Sequence, residues 1–356
     1  MAACCLTCFM LLSSAPFRIP KWIEELRPKG SLTPELRRQI GDPLSGGIKT
    51  KEAWKVKRAS ILKHWCDFLG RCPRPKKPRA RVFERVELPG GITRTKLALE
   101  VESEIWMPCY LFTPQGKGPF PACLCLHSTT DETIRQPAGL GAQPEKAFAL
   151  DLAKRGYVTI APENFLWYYP VPPRLRKKLG RWRGAVAAFQ ERHPGVRGMA
   201  KMIADASTAL DYLLGLKQVD QRRIGAIGHS LGGKEVTFLM AFDQRVRCGV
   251  SSEGGVAFSF SNYADPWYLG SEIRKHPELY RCTDILALIA PRAWLLIGGN
   301  SADGTKSRPY VQVVLPLWDL LENPAGCGLF VHNRGHAVPP EARKTAFKWL
   351  DYHLKR

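Results

Sequence analysis

Apolar positions recur along this chain with two alternating periods. Six short runs, at 120–126, 157–161, 223–228, 246–251, 293–298 and 328–331, are largely apolar or small. Runs of that length bounded by turn residues predict strands buried on both faces. Between them, apolar residues three or four apart predict helices over 145–154, 199–214, 234–242, 283–289, 309–321 and 340–354. Ahead of this alternation, 81–88, 93–101 and 105–113 switch between apolar and polar residues, which predicts an antiparallel start to the sheet. The fold class is therefore α/β, a mostly parallel central sheet with helices on both faces.

The pattern also divides the chain. Residues 80–356 carry the strand–helix alternation, and 21–79 form a basic helical extension ending in a Pro-rich linker at 71–78. Within the extension, Trp54, Ile61, Leu62, Trp65 and Leu69 fall near helical spacing over 52–69. Residues 1–20 read as a signal or an unstructured segment. Positions 2–15 suit the apolar region of an export signal ending near Ala15, but no Lys or Arg precedes them. Secreted or periplasmic and cytoplasmic locations both stay open. No run approaches the roughly 18–20 apolar residues of a membrane span. An insert at 163–198 separates a strand end from its next helix, and a loop that long is usually functional or a lid.

Charge changes the picture of partners more than of fold. The 53 Lys and Arg exceed the 32 Asp and Glu, for a net +21. Such a surface attracts polyanions or is simply well solvated. No helix-turn-helix, zinc-finger or RNP-like signature accompanies it, so specific nucleic-acid recognition is not expected. The 11 cysteines are scattered. Cys5 and Cys8 form one C-x-x-C with no second pair at zinc-finger spacing, and no metal or cofactor is expected.

Chemistry concentrates at Gly228-His229-Ser230-Leu231-Gly232-Gly233. An apolar strand precedes it and a helical segment follows. Gly-x-Ser-x-Gly at a sharp strand-to-helix bend is the nucleophile elbow of the α/β-hydrolases, which this stretch resembles. The bend strains the serine backbone and holds its hydroxyl above the sheet, and glycines are needed where side chains would strike neighbouring strands. Such a serine needs a base. His336 follows the last strand, where the chain order Ser…acid…His places it. His332 is the rival, nearer the strand, while His229 is expected to point away from the serine. The carboxylate behind the imidazole is either Asp303, after the penultimate strand, or Glu253, after the strand that follows the nucleophile helix. Oxyanion donors are expected from the backbone N–H of Leu231 and of Thr129, in the loop after 120–126.

Further motifs carry a likeness across about 81–356. Leu-His-Ser-Thr-Thr, Ala-Leu-Asp-Leu-Ala-Lys-Arg-Gly-Tyr157, the elbow, Ala-Pro-Arg292 and Gly-His336 resemble the dienelactone hydrolase and acetyl xylan esterase group. That resemblance implies a serine carboxylic-ester hydrolase of the α/β-hydrolase fold acting through an acyl-enzyme, on esters of plant polysaccharide or related small esters. Dienelactone hydrolases use cysteine, so Ser230 favours the esterase side. A second likeness, to the glucuronoyl methylesterases, rests on Lys234, four residues after Ser230, and on Glu253. It implies a sugar contact for Lys234, but Leu231 stands where that family has arginine. Aromatic residues of the insert, Trp167 and Trp182, with Trp267 opposite, form a candidate sugar platform beside the basic run from Arg174 to Arg183. The reading from another class is a non-catalytic carbohydrate- or polyanion-binding protein on a hydrolase scaffold.

Overall fold

A computed structural model describes residues 19–279 and 281–355. The proposed signal segment and the Cys5/Cys8 pair lie outside the described residues. The strands are β1 (Ala80–Leu88), β2 (Ile92–Glu102), β3 (Ile105–Pro114), β4 (Phe120–Leu126), β5 (Val158–Pro162), β6 (Val219–His229), β7 (Cys248–Ser252), β8 (Ala293–Gly298) and β9 (Cys327–Val331). Among the described residues they form one sheet in the order β1-β2-β3-β5-β4-β6-β7-β8-β9. The β1–β2, β2–β3 and β3–β5 pairs are antiparallel and the others parallel. The predicted antiparallel start and parallel body are both present.

The α-helices are α1 (Lys21–Glu24), α2 (Pro34–Ile40), α3 (Lys51–Leu69), α4 (Phe148–Lys154), α5 (Phe165–Tyr168), α6 (Pro173–Arg192), α7 (Gly198–Leu214), α8 (Leu231–Phe242), α9 (Cys282–Ile289), α10 (Arg308–Leu320) and α11 (Pro340–Leu354). One apolar layer, with Trp65, Met199, Leu210, Phe238, Leu286 and Trp318, covers one face of the sheet. A second, with Ile23, Phe148, Leu152, Trp349 and Leu350, covers the other. None of the described helices is long and apolar enough to cross a membrane.

The extension packs into the main core. Thr50 caps α3 by accepting the Ala53 N–H at 3.1 Å, and Gly70 ends the helix at φ 74°. Its apolar face then buries Trp65 completely, edge-on to Phe68, Phe238 and Phe258. Ahead of it, the Leu26 carbonyl accepts the Leu329 N–H of β9 at 2.8 Å, so the extension also covers that edge of the sheet. The insert, in turn, is mostly helix rather than loop. Pro173 opens α6, whose Leu, Ala, Arg and Lys content favours helix, and Gly180 at φ 74° breaks it.

If the extension belongs to this core, Trp65→Ala should lower unfolding free energy by about 3–5 kcal/mol. Urea denaturation followed by circular dichroism measures it, and a loss below about 1 kcal/mol would contradict the packing described.

Candidate active site

The elbow is shaped by steric exclusion. Ser230 sits at φ 57°, ψ −116°, between the end of β6 and the start of α8. A left-handed non-glycine residue costs about 1–3 kcal/mol, so the surroundings must hold it there. They do so through contact distances that admit no side chain. A Cβ on Gly228 would lie 2.3 Å from the Gly232 backbone, and one on Gly232 would lie 2.2 Å from the Leu126 carbonyl oxygen. The Ser230 N–H donates to the Ser252 carbonyl at 2.8 Å, tying the bend to the end of β7. Leu231 is the first residue of α8, where a backbone N–H has no acceptor within the helix.

Ser230 and His336 line one cavity of about 390 Å³ with Thr129, His229 and Lys146. His336 Nδ1 lies 3.3 Å from Glu253 Oε2, which leaves Nε2 for the serine side. Glu253 is fully buried at φ 51°. It accepts backbone N–H groups from Gly299, from Ala302 at 2.5 Å and from Asp303 at 3.2 Å. Burial pushes its pKa up, but the contact with His336 and the three amides outweigh burial and hold it below the ordinary carboxylate value. It therefore faces the imidazole as an anion.

Asp303 does not share that position. Its carboxylate turns toward the chain after β7, accepting the N–H groups of Gly255 at 2.6 Å and Val256 at 2.8 Å and the Ser307 hydroxyl at 2.8 Å. The two acids follow neighbouring strands, and the left-handed turn at Glu253 directs that side chain to the histidine. Asp303 supports the loop instead. His332 accepts the Arg334 N–H on Nδ1 at 3.2 Å and lies outside the cavity lining.

Lys234 also departs from expectation. Its ammonium is buried, donates to the Gly254 carbonyl, and lies 5.0 Å and 5.5 Å from the ring centroids of Tyr263 and Tyr268. It braces the loop after β7 and is not part of the cavity lining. His229, expected to point away, lines the cavity with its ring 4.7 Å from that of His336.

The loop after β4 is fastened from behind. Neutral His127, its pKa lowered to about 4 by burial, donates from Nδ1 to the Ser128 carbonyl at 2.7 Å and accepts the Asn164 N–H on Nε2 at 3.0 Å. The Asn164 amide donates to Glu235 of α8 at 2.7 Å. Trp167 stacks edge-on to His127 at 5.2 Å and donates to Asp131 at 3.1 Å. From there the aromatic row continues to Trp182 at 5.3 Å and on to Trp267 at 6.0 Å. The three tryptophans meet, although Trp167 is mostly buried. A buried charge cluster pins the insert: Lys201 Nζ lies 2.9 Å from Glu102 and 2.8 Å from Asp205, which bind Tyr169 and Tyr168 in turn.

This strand order and elbow define the architecture. The fold is that of the α/β-hydrolases. No protein-family model matches the chain. Over 234 residues it is 29% identical to a Bacillus subtilis (strain 168) protein named "Putative hydrolase YtaP", covering 62% of this chain and 72% of that one. A glucuronoyl esterase from Solibacter usitatus superposes with TM-score 0.65 and 19% identity, over 86% of this chain and 94% of its own. A structure from Bacteroides fragilis NCTC 9343 described as a "putative acetyl xylan esterase" gives TM-score 0.63 and 16% identity, over 80% and 76%. Among the described residues no group of three His, Cys, Asp or Glu side chains is placed to hold a metal.

Burial lowers the Lys234 pKa from 10.5 to about 8, against the opposing charges of Asp303, Asp265 and Glu253. The unfolded chain then binds more protons between those values, so stability should rise as pH increases from about 8 toward 10.5. Urea midpoints across that range, compared with Lys234→Met, test this; a parallel pH dependence in the variant would refute it.

Proposed function

We propose that the protein is a serine carboxylic-ester hydrolase. The observation that carries this reading is the strained Ser230 sharing a cavity with His336, whose Nδ1 faces the buried anion Glu253. His336 Nε2 takes the Ser230 proton while Oγ attacks the ester carbonyl. The N–H groups of Leu231 and Thr129 hold the resulting oxyanion, and Glu253 stabilises the imidazolium. The C–O bond to the alcohol breaks, and the alcohol leaves with the proton from His336. Water then enters, gives its proton to His336 and attacks the acyl carbon. Collapse returns the proton to Ser230 and releases the acid.

The substrate reading is an ester of plant polysaccharide or a related small ester, acetyl xylan-like, with Trp182 and Trp267 as the partly exposed sugar platform beside Trp167. Fold likeness to esterases and the 29% identity to a protein named as a hydrolase support the reaction class. One observation favours a second reading, a glucuronoyl ester: it is Glu253, after β7, and not Asp303 that meets the imidazole. Leu231 in place of arginine and the inward turn of Lys234 weigh against it.

Ser230→Ala should abolish both turnover of p-nitrophenyl acetate and labelling by a fluorophosphonate. Glu253→Gln should lower kcat by roughly 10²–10⁴-fold, in line with losing the group that orients a triad histidine. Undiminished activity of Ser230→Ala would remove the mechanism, and unlabelled wild type would favour the binding-protein alternative.

A further inference from the structure

The catalytic cavity holds more polar capacity than ester cleavage uses. Lys146 lines it with only 7% of its surface exposed. Its ammonium makes one hydrogen bond, to the neutral Gln143 Oε1 at 3.1 Å, and no ion pair among the described residues. Glu132, the other charged group of the lining, spends Oε1 on the Ala142 N–H at 2.7 Å. A buried ammonium left with a neutral acceptor is costly unless an anion completes it. Burial accordingly draws the Lys146 pKa down, with Glu145 and Glu132 opposing from farther away.

Two further groups on the same wall are unsatisfied. Ser128 Oγ and His229 Nε2 are buried and have no partner, in residues 6% and 1% exposed. His229 is neutral, held so by burial and then by the charges of Lys146 and His336. Its Nδ1 lies 3.0 Å from the Ser252 hydroxyl; with that hydroxyl donating, Nε2 carries the ring proton. Lys146 thus keeps ammonium protons with no anionic acceptor, in a cavity whose lining also includes Ser128 and His229. A carboxylate accepts the remaining ammonium protons and neutralises the charge.

We propose that Lys146 anchors a carboxylate subsite in this cavity, so that the ester attacked at Ser230 carries a second, free carboxylate. This rests on the esterase reading above and narrows its substrate class to acidic esters. Gln136 connects the subsite to the oxyanion loop, accepting the Ser128 N–H at 3.0 Å and donating to Gln143 at 2.9 Å. Binding of the acid is thereby linked to the position of the loop that carries Thr129.

Paired esters of matched size test it in the full chain. Mono-p-nitrophenyl succinate against p-nitrophenyl butyrate places the charge on the acyl side, and 4-acetoxybenzoate against phenyl acetate places it on the alcohol side. After correction for intrinsic hydrolysis rates, wild type should favour the charged member of at least one pair by about tenfold or more in kcat/KM, because a site built for a polar group discriminates against analogues lacking it. Sodium chloride should reduce that ratio. Lys146→Met should bring the charged-to-neutral ratio down by about tenfold, and Lys146→Arg should retain most of it. No preference in either pair by wild type overturns the subsite, as does a Lys146→Met variant that keeps the ratio. Failure of wild type on every neutral and charged ester, with Ser230 unlabelled by fluorophosphonate, overturns the esterase reading itself and this proposal with it.

Discussion

Everything in this molecule that bears on chemistry depends on how tightly the chain is packed where β6 becomes α8. Gly228 and Gly232 cross within distances that exclude a single added carbon, and Gly232 rides against the last carbonyl of β4. That contact fixes three things at once. It holds Ser230 in a backbone region such residues avoid, starts α8 directly after the serine, and sets the β4 loop across from the hydroxyl. The strain at Ser230 persists because relaxing it requires moving the central strands. A second left-handed residue, Glu253, stands at the end of the adjacent strand β7. Its three amide donors convert a fully buried carboxyl group into a dependable anion behind His336.

Much of the scaffold was legible in sequence because buried parallel strands are short and almost uniformly apolar. Strands β4 and β8 have the predicted bounds, and the others differ by a few residues. The start of α8 was read three residues late, since glycines argue against helix locally whereas here they answer a tertiary demand for close approach. Helix α6 was read as a loop because Pro172, Pro173 and Gly180 punctuate it. The choice between Glu253 and Asp303 could not be made from spacing. Both follow adjacent strands, and only the turn at Glu253 and the amides of Gly255 and Val256 separate their directions. Lys146 carried no signal at all. In sequence it is one more cation of a very basic chain, and its burial arises from the fold around Gln136 and Gln143.

The insert and the N-terminal extension show how additions are secured to a common sheet. The extension is held by area: Trp54, Trp65 and Phe68 join the core beside α8 and α9. The insert buries Phe165 and Phe189 in the same core and adds a polar anchor, with Lys201, Glu102 and Asp205 pairing with one another and with two tyrosine hydroxyls. A network of that kind tolerates loss of any one partner poorly, because the remaining buried charge is left uncompensated. The aromatic row that meets the loop after β4 is therefore held in register by charges lying behind it.

The Leu26 carbonyl on β9 reaches beyond local packing. An open sheet has two rims, each an invitation for foreign backbone to add on. One rim here is already occupied by the chain's own N-terminal segment. The other, β1, is broken by the irregularity between Val82 and Glu84 and studded with Arg81, Arg85 and Glu87. Among the described residues, neither border of the sheet thus presents a flat, unbroken ladder to a neighbouring polypeptide.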